Sequence, residues 1–221
     1  MVTLESGKRK RISDVKIGDS VLAVDEKGIA RFSQILLHMH RDPEMMQKFH
    51  VIRTKTGRNL ALTNTHMIYK TKSNESNQNL KDIISSEPVF AMTIKKGDFV
   101  LVNDENNEMM KDEVVSNDVE TRKGIAAPVT AFGNIVVDDI LASCYVDYDH
   151  SVVHMIVAPF RWIHDARNFL SRMTKITNLG LWEQKQEPMG LHWYPNTLLN
   201  LMNDYVPEWE IDRKLKMVIK T

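Results

Sequence analysis

Over the first 150 residues, apolar and polar side chains alternate in short runs, with Gly, Asn and Asp clustered between them. Alternation with a period of two marks strands buried on one face. It predicts strands at SVLAV (20–24), FSQILLHM (32–39), FHVIRT (49–54), NLALT (59–63), HMIYKT (66–71), PVFAMTI (88–94), DFVLV (98–102), NIVVDDI (134–140) and ASCYVDY (142–148). Lys55, Thr56 and Gly57 supply a hairpin turn, since glycine accepts positive φ. The polar stretch KSNESNQNLKDIISS, between Thr71 and Glu87, reads as a loop. Past residue 150 the spacing changes. Val153, Ile156, Val157, Phe160, Ile163 and Phe169 recur at near-helical intervals within 151–173, and Pro159 kinks or begins that helix. Trp193, Tyr194, Leu198, Leu199, Leu201 and Met202 offer a second apolar face in 189–206. The fold class expected is mainly β over residues 1–150, followed by an α-helical tail over 151–221.

The β region repeats itself. ISDVKIGDSVLAVDEKG (12–28) matches AMTIKKGDFVLVNDENN (91–107), with Gly18 and Gly97 offset by 79 residues. KTGRNLALTNTH (55–66) faces AFGNIVVDDILA (131–142), with Gly57 and Gly133 offset by 76. Two segments at nearly constant offset point to a duplicated β-unit closed by pseudo-twofold symmetry.

Charge and composition narrow the chemistry. The chain has 221 residues, 43% hydrophobic, with 29 basic and 29 acidic side chains. It can bury a core, and its balanced charge argues against a nucleic-acid partner. The basic run GKRKR (7–11) sits among turn residues and reads as a solvated surface turn. Cys144 is the single cysteine, which excludes an internal disulfide framework and a zinc site built on several thiolates. The N-terminus has no apolar run, so no signal peptide is expected in the chain as it stands. The longest apolar runs, such as MIVAPF (155–160), fall well short of the ~20 residues that span a bilayer. The apolar faces after residue 150 therefore either pack on the β-domain or meet a lipid surface. His38 and His40 share one strand face, but two imidazoles without a third ligand make no metal site.

LTNTHMIY (62–69) places Thr63 three residues before His66 at a bend between apolar stretches. A histidine can deliver a proton to a leaving amine near neutral pH, and a threonine hydroxyl can polarise the same peptide. Both can equally serve local hydrogen bonds in a turn.

ESGKRKRISDVKIGDSVLAVDEKG, LLHMHRD, LTNTHMIY, GIAAPVTAFGNIVVDDILASCY, VAPFRW and LHWYPNTLLNLMNDYV, in that order, resemble the C-terminal autoprocessing region of Hedgehog proteins. The resemblance runs from about residue 3 to about residue 210 and implies a Hint fold, the intein-like horseshoe of duplicated subdomains. It implies a cysteine-type self-processing activity: an N-to-S acyl shift to a thioester, which cholesterol then displaces to release a sterol-modified signalling domain. By the same resemblance, His66 protonates the departing amine, Thr63 assists in binding that peptide, and Cys144 lies near the active centre, although a buried inert thiol is an equal reading. Residues 151–206 correspond to the sterol-recognition region, with possible membrane-surface contact. The implied partners are the chain's own N-terminal signalling domain in cis and cholesterol as substrate, without a cofactor. The implied location is the secretory pathway, endoplasmic reticulum and extracellular space.

Two features depart from the pattern. The family's nucleophilic cysteine stands a few residues before the position of Val2, whereas this chain begins MVTLESG. The expectation is a fragment or an inactive copy. His40 stands where the family carries the aspartate that helps activate the sterol hydroxyl; His40 itself, or Asp42 two residues on, is the candidate replacement. An intein would need a terminal His-Asn pair, and this chain ends KLKMVIKT. A non-catalytic lipid-binding or interaction module on the same fold is the alternative.

Overall fold

The computed structural model describes residues 1–71, 88–146, 162 and 190–191. In chain order the strands are β1 (Val2–Thr3), β2 (Arg9–Lys10), β3 (Ser20–Val24), β4 (Ala30–Thr54), β5 (Asn59–Leu62), β6 (His66–Ile68), β7 (Lys70–Thr71), β8 (Val89–Phe90), β9 (Phe99–Asn103), β10 (Met109–Thr130), β11 (Asn134–Val137), β12 (Ile140–Val146) and β13 (Gly190–Leu191). Two single-turn 3-10 helices, Ile12–Asp14 and Ala91–Thr93, precede β3 and β9. The fold is mainly β, as the alternation predicts.

The repeat is visible bond by bond. Gly18 N–H donates to the Ile35 carbonyl at 2.8 Å, and Gly97 N–H to Val114 at 2.9 Å. Ile35 N–H returns a bond to Asp19, and Val114 N–H to Asp98, both at 2.8 Å. The Asp19 carboxylate accepts from the Lys16 amide and the Lys10 ammonium, and the Asp98 carboxylate from the Lys95 amide and the Lys70 ammonium. The Gly-Asp pairs that look like common turn residues are thus the same corner built twice.

β4 and β10 join the two copies. They pair antiparallel from Thr54 opposite Val114 to Ile35 opposite Thr130. One of the ladder's register shifts falls between Lys123 and Ile125, where a Cβ on Gly124 would stand 3.5 Å from the Pro43 carbonyl oxygen. Asp42 Oδ1 accepts the amides of Glu44 and Met45 at 2.9 and 3.1 Å, satisfying donors beside the slip. One core packs Ile35, Leu37, Ile52, Ile68, Val102, Val129 and Ile140 together; a second gathers Leu22, Tyr69, Leu101, Val136 and Leu141. Buried Asn134 stitches β11 to β3, accepting from the Val24 amide at 2.8 Å and donating to its carbonyl at 2.9 Å.

Four expectations need correction. FSQILLHM and FHVIRT are not separate strands but parts of one 25-residue strand, β4. The 22-residue strand β10 has no counterpart among the expected strands, because its middle is exposed on both faces and carries no period-two pattern. PVFAMTI yields only β8 before the chain winds into the second 3-10 turn, whose Thr93 hydroxyl donates to the Phe90 carbonyl at 2.7 Å. GKRKR is not simply solvated: Arg9 and Lys10 form β2 and bond Asp139 and Asp19.

The stretch 72–87 lies outside the described residues, as do the stretches 151–173 and 189–206, expected to be helical, apart from three positions. Trp162 is helical and 71% exposed. Gly190 and Leu191, placed by sequence at the start of the second apolar face, form β13 opposite Arg41 and His40. Among the described residues no helix is long and apolar enough to cross a membrane.

Gly57 and Gly133 close equivalent hairpins with φ of +87° and +74°. A Cβ at Gly57 meets nothing within 4 Å, whereas one at Gly133 would stand 2.7 Å from the Tyr145 hydroxyl, on a fully buried side chain. Gly57→Ala should therefore cost only the backbone conformation, about 1 kcal/mol. Gly133→Ala adds overpacking and should cost about 2–5 kcal/mol. Urea midpoints of the two variants at unchanged m-value check the difference.

Burial pushes the Asp19 carboxyl up, but the Lys10 ammonium, the Lys16 amide and both lysine charges outweigh it and hold it below the usual range. Burial likewise opposes, and the Ile29 and Lys27 amides and Arg31 outweigh, at Asp25, whose carboxyl is also lowered. A carboxyl lowered by folding contributes stability above its unfolded pKa and loses it as pH falls through the folded one. Thermal midpoints should hold above about pH 5 and drop between about pH 5 and pH 3, and Asp19→Asn should flatten that drop.

Candidate active site

Three strands converge where the second hairpin meets the Thr63–His66 bend. After β5 the chain turns through Thr63, Asn64 and Thr65, closed by the His66 amide donating to the Thr63 carbonyl at 3.1 Å. β6 begins at His66 and pairs with β12, placing His66 opposite Val146 and Ile68 opposite Ala142. That register brings His66 Nε2 2.9 Å from the Ser143 carbonyl, the group just before Cys144. A carbonyl oxygen only accepts, so Nε2 carries the hydrogen of this bond.

Cys144 is 2% exposed. Its amide donates to the Gly133 carbonyl at 2.9 Å, and its sulfur lies 3.8 Å from the Thr130 hydroxyl. Thr130 donates its own hydroxyl hydrogen to the Asn134 carbonyl at 2.7 Å, so the contact at sulfur has the thiol donating. Tyr69, buried beside this group, has its phenol pushed up by burial and then by Cys144, and stays neutral.

The candidate residues fall in two places. Thr63, His66 and Cys144 gather around β6 and β12. His40 and Asp42 lie on β4 near its crossing with β10. His40 stands opposite Ala127, three residues from Thr130 along β10 and therefore about 10 Å away along the strand. Its other neighbour across the ladder is Leu191 of β13. Asp42, offered as a substitute for the family's aspartate, has one oxygen committed to the Glu44 and Met45 amides. His38 is buried and bonds the Val15 carbonyl through Nε2 at 3.2 Å. Among the described residues no three His, Cys, Asp or Glu side chains are placed to hold a metal ion.

Sequence reasoning did not single out Thr130, Ser143 or Gly133 in the site. Ser143 contributes only a backbone carbonyl, which no side-chain pattern reports. Thr130 and Gly133 stand in PVTAFG, between a strand end and a turn, where their types look local.

The Hint module family matches residues 1–207. The tiggy-winkle hedgehog protein of Danio rerio is 35% identical over 215 residues, covering 96% of this chain and 47% of its own length. Protein hedgehog of Drosophila virilis is 32% identical over 218 residues, covering 95% of this chain and 43% of its own. The chain therefore spans about half the length of the relatives it matches. Among solved structures, the DnaB intein of Synechocystis sp. PCC 6803 superposes with a TM-score of 0.51 at 14% identity, over 66% of this chain and 94% of the intein. The Ssp DnaB mini-intein variant M86 does so with 0.52 at 13% identity, over 66% and 91%. At that identity the inteins speak for the fold alone. With the duplicated corners, the long crossing strands and these matches together, the chain belongs to the Hint-module family, as a module of the hedgehog type.

Proposed function

We propose that this chain is the autoprocessing module of a longer hedgehog-like precursor. A cysteine placed ahead of Val2 attacks the carbonyl of its own preceding peptide bond. The sulfur-carbon bond forms as the carbon-nitrogen bond breaks, and the thiol's proton is in balance transferred to the departing amine. His66 delivers that proton, and Thr63 helps hold the scissile peptide. The observation that carries the reading is the bond from His66 Nε2–H to the Ser143 carbonyl, which fixes the imidazole beside Cys144.

In the second step a sterol hydroxyl attacks the thioester, and the cysteine leaves with the hydroxyl's proton. His40 is the base for that hydroxyl in this chain, with Asp42 held in the neighbouring ladder slip. Cholesterol is the substrate, the module's own N-terminal signalling domain is the acyl partner in cis, and no cofactor takes part. Cys144 supports the centre as a protonated hydrogen-bond donor to Thr130. Residues 151–206 recognise the sterol at a membrane surface, and the reaction runs in the secretory pathway. A non-catalytic lipid-binding module is the second reading, favoured by His40 standing at the aspartate position.

The test is a fusion in which a reporter domain, a Cys-Phe start and the intervening residues precede this chain. Dithiothreitol should release the reporter, and His66→Ala should slow release by about 100-fold or more, the usual worth of a positioned proton donor. Thiol release unaffected by His66→Ala would sink the proposal. Sterol-dependent release that is lost in His40→Ala and regained in His40→Asp would assign the base; release by thiol but not by sterol would place the defect at His40, and no thiol release from the unmutated fusion would favour the second reading.

A further inference from the structure

We infer that Asn117, on β10, is a positioning residue for the Thr63–His66 turn. Its role in catalysis rests on the reading of His66 proposed above; its structural role does not. Asn117 Nδ2 donates to two carbonyls of the second 3-10 turn, Ala91 and Ile94, each at 2.9 Å. With both amide hydrogens spent on carbonyls, the amide oxygen must accept, and it faces His50 Nδ1 at 3.0 Å. His50 therefore donates from Nδ1, and the orientation of the Asn117 amide is fixed from both ends. The 3-10 turn so held presents the Met92 amide to the Asn64 carbonyl at 3.1 Å, inside the bend that ends at His66. β8, which leads into the 3-10 turn, pairs with β6 through Phe90 opposite Met67 and Val89 opposite Ile68. A side chain on the crossing strand thus reaches the catalytic bend through one short turn.

Pseudo-symmetry supplies an internal control. With the 79-residue offset, Asn117 corresponds to His38 and Ile94 to Val15, and His38 Nε2 holds the Val15 carbonyl at 3.2 Å. Both long strands therefore clamp the 3-10 turn of their own copy, one through an amide and the other through an imidazole. The turn clamped by His38 packs against β10, while the turn clamped by Asn117 packs against β4 and β6. Only the second clamp backs the strand that starts at His66.

The experiment compares Asn117→Ala, Asn117→His and His38→Ala in the full chain, by hydrogen exchange and by the nitrogen-15 signal of the His66 ring, and in the reporter fusion by thiolysis. Removing one partner of a bonded, partly buried group costs enough to change a local equilibrium about tenfold. Asn117→Ala should speed exchange at the Met92 and His66 amides by about tenfold, shift the His66 ring signal, and slow thiolysis by about tenfold. Asn117→His copies the symmetry mate's donor and should recover thiolysis to within about threefold. His38→Ala should lower the urea midpoint yet leave the His66 signal and thiolysis within about twofold. Unchanged Met92 and His66 exchange in Asn117→Ala, or an equal change in His38→Ala, would overturn the inference. If Asn117→Ala does not fold, Asn117→Ser, which keeps one short donor, carries the same comparison. Altered exchange together with thiolysis that is indifferent to His66→Ala would uphold the positioning and overturn only the proton role of His66.

Discussion

The antiparallel pairing of β4 with β10 is the constraint on which the rest of the molecule depends. Each strand begins in one copy of the repeat and ends against the other, so neither copy can close its sheet alone. Ile35 and Leu37 at one end of the ladder, and Ile52 and Val114 at the other, are buried. Between them the two strands are a solvated ribbon held by backbone bonds. Charges such as Arg53 with Asp118 and Glu120 decorate it, and exposed pairs of this kind contribute little to stability. Both buried clusters draw on both copies, so the paired strands and the shared core make one domain of the two repeats.

The candidate site sits where this geometry makes a second demand. β10 ends at Thr130, whose hydroxyl spans from the Asn134 carbonyl to the Cys144 sulfur. β12 then carries Ser143 and Cys144 past β6, and the register between these strands brings the His66 ring to a carbonyl. The buried polar groups here are paired, as a group in a low-dielectric interior requires. An imidazole whose ring is fixed by a backbone carbonyl is suited to moving a proton. That function would come from the strand register as much as from the histidine.

Much of this was legible before the fold. The alternation in SVLAV, NLALT and DFVLV marks strands that bury one face, and the repeated Gly-Asp corner marks the duplication. The family-like segments around Thr63, His66 and Cys144 mark the candidate centre. β10 was not legible, because a ribbon exposed on both faces leaves no period-two trace. The break of PVFAMTI into a 3-10 turn was not legible either, because the Ala91 and Ile94 carbonyls are taken by Asn117, more than 20 residues away.

By itself, then, the chain determined the elements whose burial imprints a pattern, the twofold repeat, and the residue types able to carry proton transfer. These follow from local chemistry and short-range periodicity. Only the tertiary structure decided which nitrogen of His66 is committed, that Asp42 serves the ladder slip, and that Asn117 and His38 are equivalent clamps. Those outcomes depend on backbone carbonyls and cross-strand register, and a register is a relation between distant segments that no single segment encodes.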